Sequence, residues 1–315
     1  MHLIEILNHH PQRPAQGVPD WMLGYYKRKT ISFADGQTDL RTHVCWFQSR
    51  NFTLDVRLPL EAQQVGAKPL SDCSPAEFYT LANYEGWEAR SVWEGETLAW
   101  QDATSFQLHN RWPEPAVLQR IGNCMIEFAP SAAYVEDWRL QSSGPGALIG
   151  LRLIEDKEPG SGVVHHRGGG VIVCGDHAAM VLGRAAPLAT DPECRQLREQ
   201  LLDHLDDPTW LAQAFNFEAS VAQGSLTGSY DVMLSTLARR LHQPLMPMDG
   251  FELLPDAGYL QQFLVIDGIE RHRLFAIDTL EVDIGFAQST AFTAEAARWY
   301  EQESPTLSRY TQALF

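Results

Sequence analysis

The chain has 315 residues, of which 44% are hydrophobic and 20% charged. That composition excludes a disordered chain and leaves room for two domains of ordinary size. The net charge of −16 works against binding to nucleic acid or anionic membrane, and no apolar run approaches the roughly 20 residues of a membrane helix.

The opening Met1-His2-Leu3-Ile4-Glu5 lacks the basic and apolar regions of a signal peptide. Five cysteines, Cys45, Cys73, Cys124, Cys174 and Cys194, include no CxxC pair. The odd count and missing export signal predict reduced thiols, no structural disulfide and a cytoplasmic location. Residues 1–19, with Pro11, Pro14, Gly17 and Pro19, read as an N-terminal arm.

Residues 20–142 read as a first β domain. Leu40, Thr42, Val44 and Trp46 alternate with Arg41, His43, Cys45 and Phe47. After a turn at Ser49-Arg50-Asn51, Phe52, Leu54, Val56 and Leu58 alternate with Thr53, Asp55 and Arg57. Period two on both sides of a short connection predicts an antiparallel hairpin. One helix interrupts: Ser74 caps it, Pro75 takes N1 and Glu77 completes a capping box. Further strands are predicted at Trp87–Trp93, Thr97–Trp100, Phe106–Trp112, Cys124–Phe128 and Tyr134–Leu140.

A linker, Ser142-Ser143-Gly144-Pro145-Gly146, leads into a second β domain over 146–285. Strands are predicted at Ala147–Glu155, Val171–Cys174, Ala178–Arg184, Phe215–Val221, Tyr230–Leu237, Gly250–Leu254, Tyr259–Ile266 and Arg271–Asp278. A helix capped near Thr190 or Asp191 would carry an apolar stripe of Cys194, Leu197, Leu201, Leu202 and Leu205. Residues 286–315 read as a tail with a short helix, capped at Thr293, with Ala294, Ala297 and Tyr300 on one face.

The two domains read as copies of each other. Ile126–Trp138 matches Phe251–Phe263, with Tyr134 opposite Tyr259 and Pro130 opposite Pro255 at an offset of 125. Ser91–Gly95 matches Ser220–Gly224, Leu23-Gly24 matches Ile149-Gly150, and Arg57 falls opposite Arg184. The order is constant and the offsets are nearly so. About eight to ten short strands and one helix per copy suit a closed antiparallel barrel, with a β-sandwich as the rival.

Three stretches, Trp21–Tyr26, Thr42–Gln48 and Leu54–Pro59, resemble a family of poorly characterised bacterial and fungal proteins. Its members share two tandem lipocalin-like barrels, and the fungal ones are associated with a casein kinase. The likeness is strongest over roughly the first sixty residues. It implies a calycin-type fold and carries over no catalytic residue. In lipocalins a first-strand tryptophan is covered by an arginine near the last strand, and the resemblance assigns those parts to Trp21 and Arg139.

Candidate chemistry is sparse. The pairs His9-His10 and His165-His166 place neighbouring side chains on opposite strand faces, so neither chelates one ion, and no metal is expected. Gly168-Gly169-Gly170 precedes a strand rather than a helix and reads as a tight turn, not a phosphate cradle. Ser235 has no nucleophile elbow, and no cofactor is expected. Asp55 and Arg57 share the strand face opposite the apolar one. If the apolar face lines a lumen, they form a solvated pair of little consequence, the common case. If it packs on the other barrel, they point inward.

Seven of nine tryptophans fall in the first copy. Aromatics that dense fill a core, the default, or line a pocket. If they line one, the ligand-binding candidates are Trp46, Trp87, Trp93, Trp100 and Trp112, with Arg57. The expected function is non-enzymatic binding of a small, mostly apolar molecule. The alternatives are an isomerase, cyclase or lyase, for which His43, His109, Asp55 and Glu136 are the first candidates as acid or base, and a scaffold that engages a protein partner.

Overall fold

The protein is described by a computed structural model covering residues 1–189, 191, 193, 195–254, 258–286, 298, 299 and 301–305. Nine strands form the first sheet: β1 (Gly24–Phe33), β2 (Thr38–Asp39), β3 (Thr42–Gln48), β4 (Phe52–Pro59), β5 (Glu85–Glu94), β6 (Thr97–Ser105), β7 (Ala116–Ile121), β8 (Cys124–Phe128) and β9 (Tyr134–Leu140). Their order is β2-β1-β3-β4-β5-β6-β7-β8-β9, and β9 pairs back onto β1. Eight strands therefore close into an antiparallel barrel, which leaves it without edges.

The second sheet takes β10 (Gly146–Lys157), β11 (Val164–Cys174), β12 (His177–Arg184), β13 (Glu218–Gly224), β14 (Tyr230–Ser235), β15 (Phe251–Leu254), β16 (Tyr259–Ile266) and β17 (Ile269–Ile284). Its order is β14-β13-β12-β11-β10-β17-β16-β15. Among the described residues no ladder joins the end strands β14 and β15. The chain is mainly β, with a closed eight-stranded antiparallel barrel and a second antiparallel sheet.

Short helices accompany the strands, among them α1 (Leu3–His9), α2 (Pro75–Leu81), α3 (Leu197–His204) and α4 (Pro208–Ala214). The start of α2 has the expected Ser74–Glu77 capping box with Pro75 at N1. The start of α3 differs from the reading at Thr190 or Asp191: Gln196 is its N-cap. Thr190 and Cys194 lie outside the described residues, as do Thr293, Ala294, Ala297 and Tyr300 of the tail helix. The four described cysteines are free.

Four further expectations change. Phe106–Trp112 is a loop rather than a strand, and the strand after β6 is β7. Phe106 still donates its amide to the Gly86 carbonyl of β5 at 2.9 Å, but its ring packs on Phe215 and Phe217 and the chain leaves the ladder after it, with Trp112 against Tyr134 and Arg57. Gly168–Gly170 lies inside β11, where a bulge separates His166 from Gly169. Gly168 and Gly169 have φ of +70° and +101°, and a side chain on Gly168 would strike Thr104 of β6. The triple glycine thus lets the barrel approach the second sheet.

The match of Tyr134 with Tyr259 is also displaced. Tyr134 begins β9, which closes on β1, whereas β10 pairs with β17 and Tyr259 begins β16, one strand away. Pro255 lies outside the described residues. Finally, the first nineteen residues begin with α1, whose Leu3, Ile6 and Leu7 are buried in the core of the second sheet.

The barrel and the second sheet share one core. The apolar face of β4 (Phe52, Leu54, Val56 and Leu58) belongs to the same buried cluster as Ile172, Val181 and Ala219. Phe52 rests where Gly150 and Gly170 lack side chains. At the rim of this interface, Ser49 donates to Asp278 at 2.5 Å and Arg50 pairs with Glu281 at 2.8 Å. Glu88 of β5 accepts from Arg152 of β10 at 2.6 Å.

Burial of Glu88 outweighs Arg152 and pushes its carboxyl up from 4.5 to about 7. The folded chain then holds a proton that the unfolded chain has released, so this group's contribution to stability falls as pH rises from about 4.5 to about 7, by at most about 1.4 kcal/mol per pH unit. We expect Glu88→Gln to remove that dependence. The urea midpoint of wild type minus variant should fall between pH 5 and pH 8; a difference that stays constant would refute the assignment.

Candidate functional site

Because the apolar face of β4 meets the second sheet, its other face must turn into the barrel. Asp55 and Arg57 are therefore lumen residues, which corrects the reading of a solvated pair. Both are buried, and Arg57 holds Asp55 through Nε at 2.8 Å and Nη2 at 3.3 Å. The β3–β4 register sets Trp46 beside Asp55 and Gln48 beside Thr53 on this inner face. The β4–β5 register adds Trp87 beside Asp55 and Glu85 beside Arg57. Strand pairing thus fills a barrel interior with charged and aromatic groups.

The charges nearly balance. Asp55 pairs with Arg57, Glu136 with Arg28 at 2.8 Å, and Glu85 with Arg111 at 2.7 Å. Glu127 has no ion-pair partner among the described residues. It lies directly across the β8–β9 ladder from Glu136 and accepts from Trp138 Nε1 at 2.9 Å and Tyr134 Oη at 3.3 Å. Burial first, and the neighbouring Glu136 second, push its carboxyl well above the usual range. Burial also raises Asp55, against the pull of Arg57.

Of the four acid–base candidates, Asp55 and Glu136 sit in this lumen. His43 lies on the opposite face of β3, 3.0 Å from the exposed Glu61. His109 is exposed on the Phe106–Trp112 loop, with its Nε2 3.2 Å from the Arg195 carbonyl. Glu127 escaped the sequence reading. Its signal was the Ala129–Ala133 turn, which sets Glu127 and Glu136 equally far from the bend of one hairpin.

The six ligand-binding candidates separate into layers. Trp46 is fully buried, donates to Gln48 at 3.1 Å, and stands edge-on to Trp138 and Trp100. Trp93 packs edge-on against Trp21 at 5.7 Å, in the layer that also holds Tyr26. There Arg120, not Arg139, reaches the Trp21 carbonyl and the Tyr26 hydroxyl. Arg139 instead pairs with Asp137, its neighbour on the outer face of β9. The Trp21–Arg139 pairing implied by the lipocalin likeness is absent, because β7 carries the arginine that spans this end.

Trp87, Trp100 and Trp112 line a cavity of about 650 Å³. It opens at the other end of the barrel and extends to Arg184 at the end of β12 and to Pro187, Asp191 and Arg195 beyond it. Trp87 and Trp100 stand edge-on, 5.7 Å apart. Trp112 is held by its Nε1 bond to Glu85 at 3.3 Å, by the Arg57 guanidinium 4.4 Å from its ring, and by Tyr134 at 5.5 Å. Arg57 lines a smaller adjoining cavity of about 450 Å³ with Glu85 and Arg111.

Three buried donors here have no acceptor among the described residues: Trp87 Nε1, Trp100 Nε1 and Arg57 Nη1. A buried unsatisfied donor costs about 1–3 kcal/mol, so such groups call for an explanation. The aromatic wall and its unused N–H groups together suit a flat ring that carries a hydrogen-bond acceptor.

Among the described residues no cluster of His, Cys, Asp and Glu is arranged to hold a metal ion, and no helix is long and apolar enough to cross a membrane. No protein family and no curated protein matches the sequence. Among solved structures the chain is similar to an uncharacterised protein of Saccharomyces cerevisiae, YLR301w, at a TM-score of 0.39 and 12% identity, over 80% of this chain and 96% of that one.

Proposed function

We propose that this protein binds a small molecule with a flat apolar ring and a hydrogen-bond acceptor at the mouth of the first barrel. The observation that carries the reading is that Trp87 and Trp100, two of the rings lining the 650 Å³ cavity, each hold a buried indole N–H with no partner among the described residues. The ring would lie against these indoles and Trp112, and a small turn of either buried indole would bring its unused N–H to the acceptor. Trp46 and Trp93 act behind this surface as packing.

Turnover is the second reading. It is favoured by Glu127, a carboxyl that burial and the facing Glu136 push well up, since paired carboxyls of this kind can supply a proton. Neither group lines the cavity, and Trp112 and Tyr134 stand between, so binding is preferred.

Calorimetric titration with naphthalene-1-acetamide, a neutral ring with one carbonyl, tests the binding reading. Trp87→Phe and Trp100→Phe keep a ring and remove the N–H. Each is expected to weaken binding about threefold to tenfold, the worth of one neutral hydrogen bond. Trp112→Ala is expected to weaken it further by removing the facing wall. Binding unchanged in all three variants would move the site elsewhere, and no binding to wild type would refute the reading.

A further inference from the structure

The cavity has a second wall of different chemistry. Six charged residues line it: Arg111, Arg167, Arg184 and Arg195 against Glu85 and Asp191. This excess of cations stands in a chain whose net charge is −16. Two of the arginines are neutralised locally. Arg111 pairs with Glu85 at 2.7 Å, and Arg195 pairs with Asp191 at 2.8 Å and with Asp203. The other two, Arg167 and Arg184, have no carboxylate partner among the described residues.

Arg184 is anchored rather than free. It leaves the end of β12 and donates to three backbone carbonyls: Ala214 from Nε at 2.9 Å, Ser105 from Nη1 at 3.2 Å and Phe106 from Nη2 at 2.7 Å. Its guanidinium lies 5.1 Å from the Phe106 ring and 5.7 Å from that of Phe217. Five guanidinium N–H groups less these three leave two for a further acceptor. Burial without a counter-charge lowers its pKa to about 10, so the site as it stands is short of an anion. Arg167 sits one residue before the triple-glycine bulge of β11, which brings it against the barrel mouth beside Thr104.

We propose that the ligand is an organic anion, a flat ring bearing a carboxylate or phosphate, whose charged group is held by Arg184 and Arg167 of the second domain. Its ring rests on Trp87, Trp100 and Trp112 of the first. This rests on the ring-binding reading above and deepens it. The two domains then form one site: the barrel supplies the aromatic wall and the second sheet supplies the cations. Guanidinium groups suit this role because their N–H fork matches the oxygens of a carboxylate or phosphate. A neutral ligand would leave Arg184 buried with no counter-charge, a costly arrangement.

The test compares naphthalene-1-acetate with its neutral amide by calorimetry at pH 7.5. Wild type is expected to bind the acetate at least tenfold tighter than the amide. Arg167→Gln, at an exposed residue with no protein partner to lose, should remove most of that preference and leave amide affinity unchanged. Arg184→Lys keeps a charge but cannot bond three carbonyls and an anion together, and should weaken acetate binding at least tenfold. Thermal unfolding of each variant identifies any that fails to fold, and the Arg167 variant keeps the comparison open if the Arg184 variant does. Equal affinity of wild type for acetate and amide would overturn the anion while leaving the ring site. No binding of either would overturn both. An acetate preference that survives in Arg167→Gln and in a folded Arg184→Lys would overturn the assignment to these arginines.

Discussion

Replacing Arg57 with Met is expected to destabilise the protein by about 3–5 kcal/mol, the usual cost of removing one partner from a buried ion pair. Arg57 is fixed to Asp55 at 2.8 Å and lies against Trp112. Asp55, Glu85 and Glu136 all act on it electrostatically, and burial works against all of them. Without the guanidinium, Asp55 remains as a buried carboxylate with no cation. Methionine retains much of the side-chain volume, so the loss reports charge more than cavity.

Two controls separate these causes. Asp55→Asn with Arg57→Met removes both charges and should recover a large part of the loss, a coupling of neighbours that simple addition misses. The single variant should also regain stability as pH falls towards the raised pKa of Asp55, because a protonated Asp55 carries no uncompensated charge. Urea unfolding of the three proteins at pH 7 and pH 5 measures this. A single variant within 1 kcal/mol of wild type at pH 7 would mean that the pair is solvated after all.

Removing residues 1–10 is expected to unfold the second sheet. The helix Leu3–His9 is short for independent stability, yet Leu3, Ile6 and Leu7 are at most 2% exposed. They join Ile149, Leu151, Val173, Phe251 and Phe275 in one cluster. The backbone ties the segment down as well. The Leu3 amide donates to the Met248 carbonyl at 2.7 Å, and Gln12 bridges to Leu280. Truncating any one of the three side chains to Ala should cost about 2–5 kcal/mol. Losing all three approaches the whole stability of an ordinary domain. Hydrogen exchange should show the amides of β10 and β17 unprotected in the shortened chain while those of β3 and β4 persist. Asn8→Ala, on the exposed side of the same helix, should change the urea midpoint little. A shortened chain with wild-type stability would show that the helix only decorates a sheet that holds without it.

The helix was partly visible in the sequence: Leu3, Ile6 and Leu7 have helical spacing, and His2 and Glu5 form a capping box. Prolines nearby nevertheless made residues 1–19 read as an arm. Local pattern identifies an apolar stripe, but the sheet that it covers lies more than a hundred residues further along. The same limit displaced the Tyr134–Tyr259 match. Two strands can share a pattern of Glu, Pro, Ala and Tyr and still stand one position apart in their sheets, because pairing depends on which partner closes the ring.

The sequence by itself determined the elements whose causes are local. Period two and the Ser49–Asn51 turn specified the β3–β4 hairpin, and Ser74, Pro75 and Glu77 specified the start of α2. Trp-rich alternation placed the aromatic side chains on β5 and β6. Only the tertiary structure decided which way the hairpin faces. Alternation gives a strand two faces without saying which is inside, and in β4 both are buried, one against the second sheet and one in the lumen. That choice turned Asp55 and Arg57 inward. It also brought Trp87, Trp100 and Trp112 to a cavity that Arg167 and Arg184 line from the second sheet. These groups are remote in sequence, and long-range packing joins them around one cavity that no local spacing records.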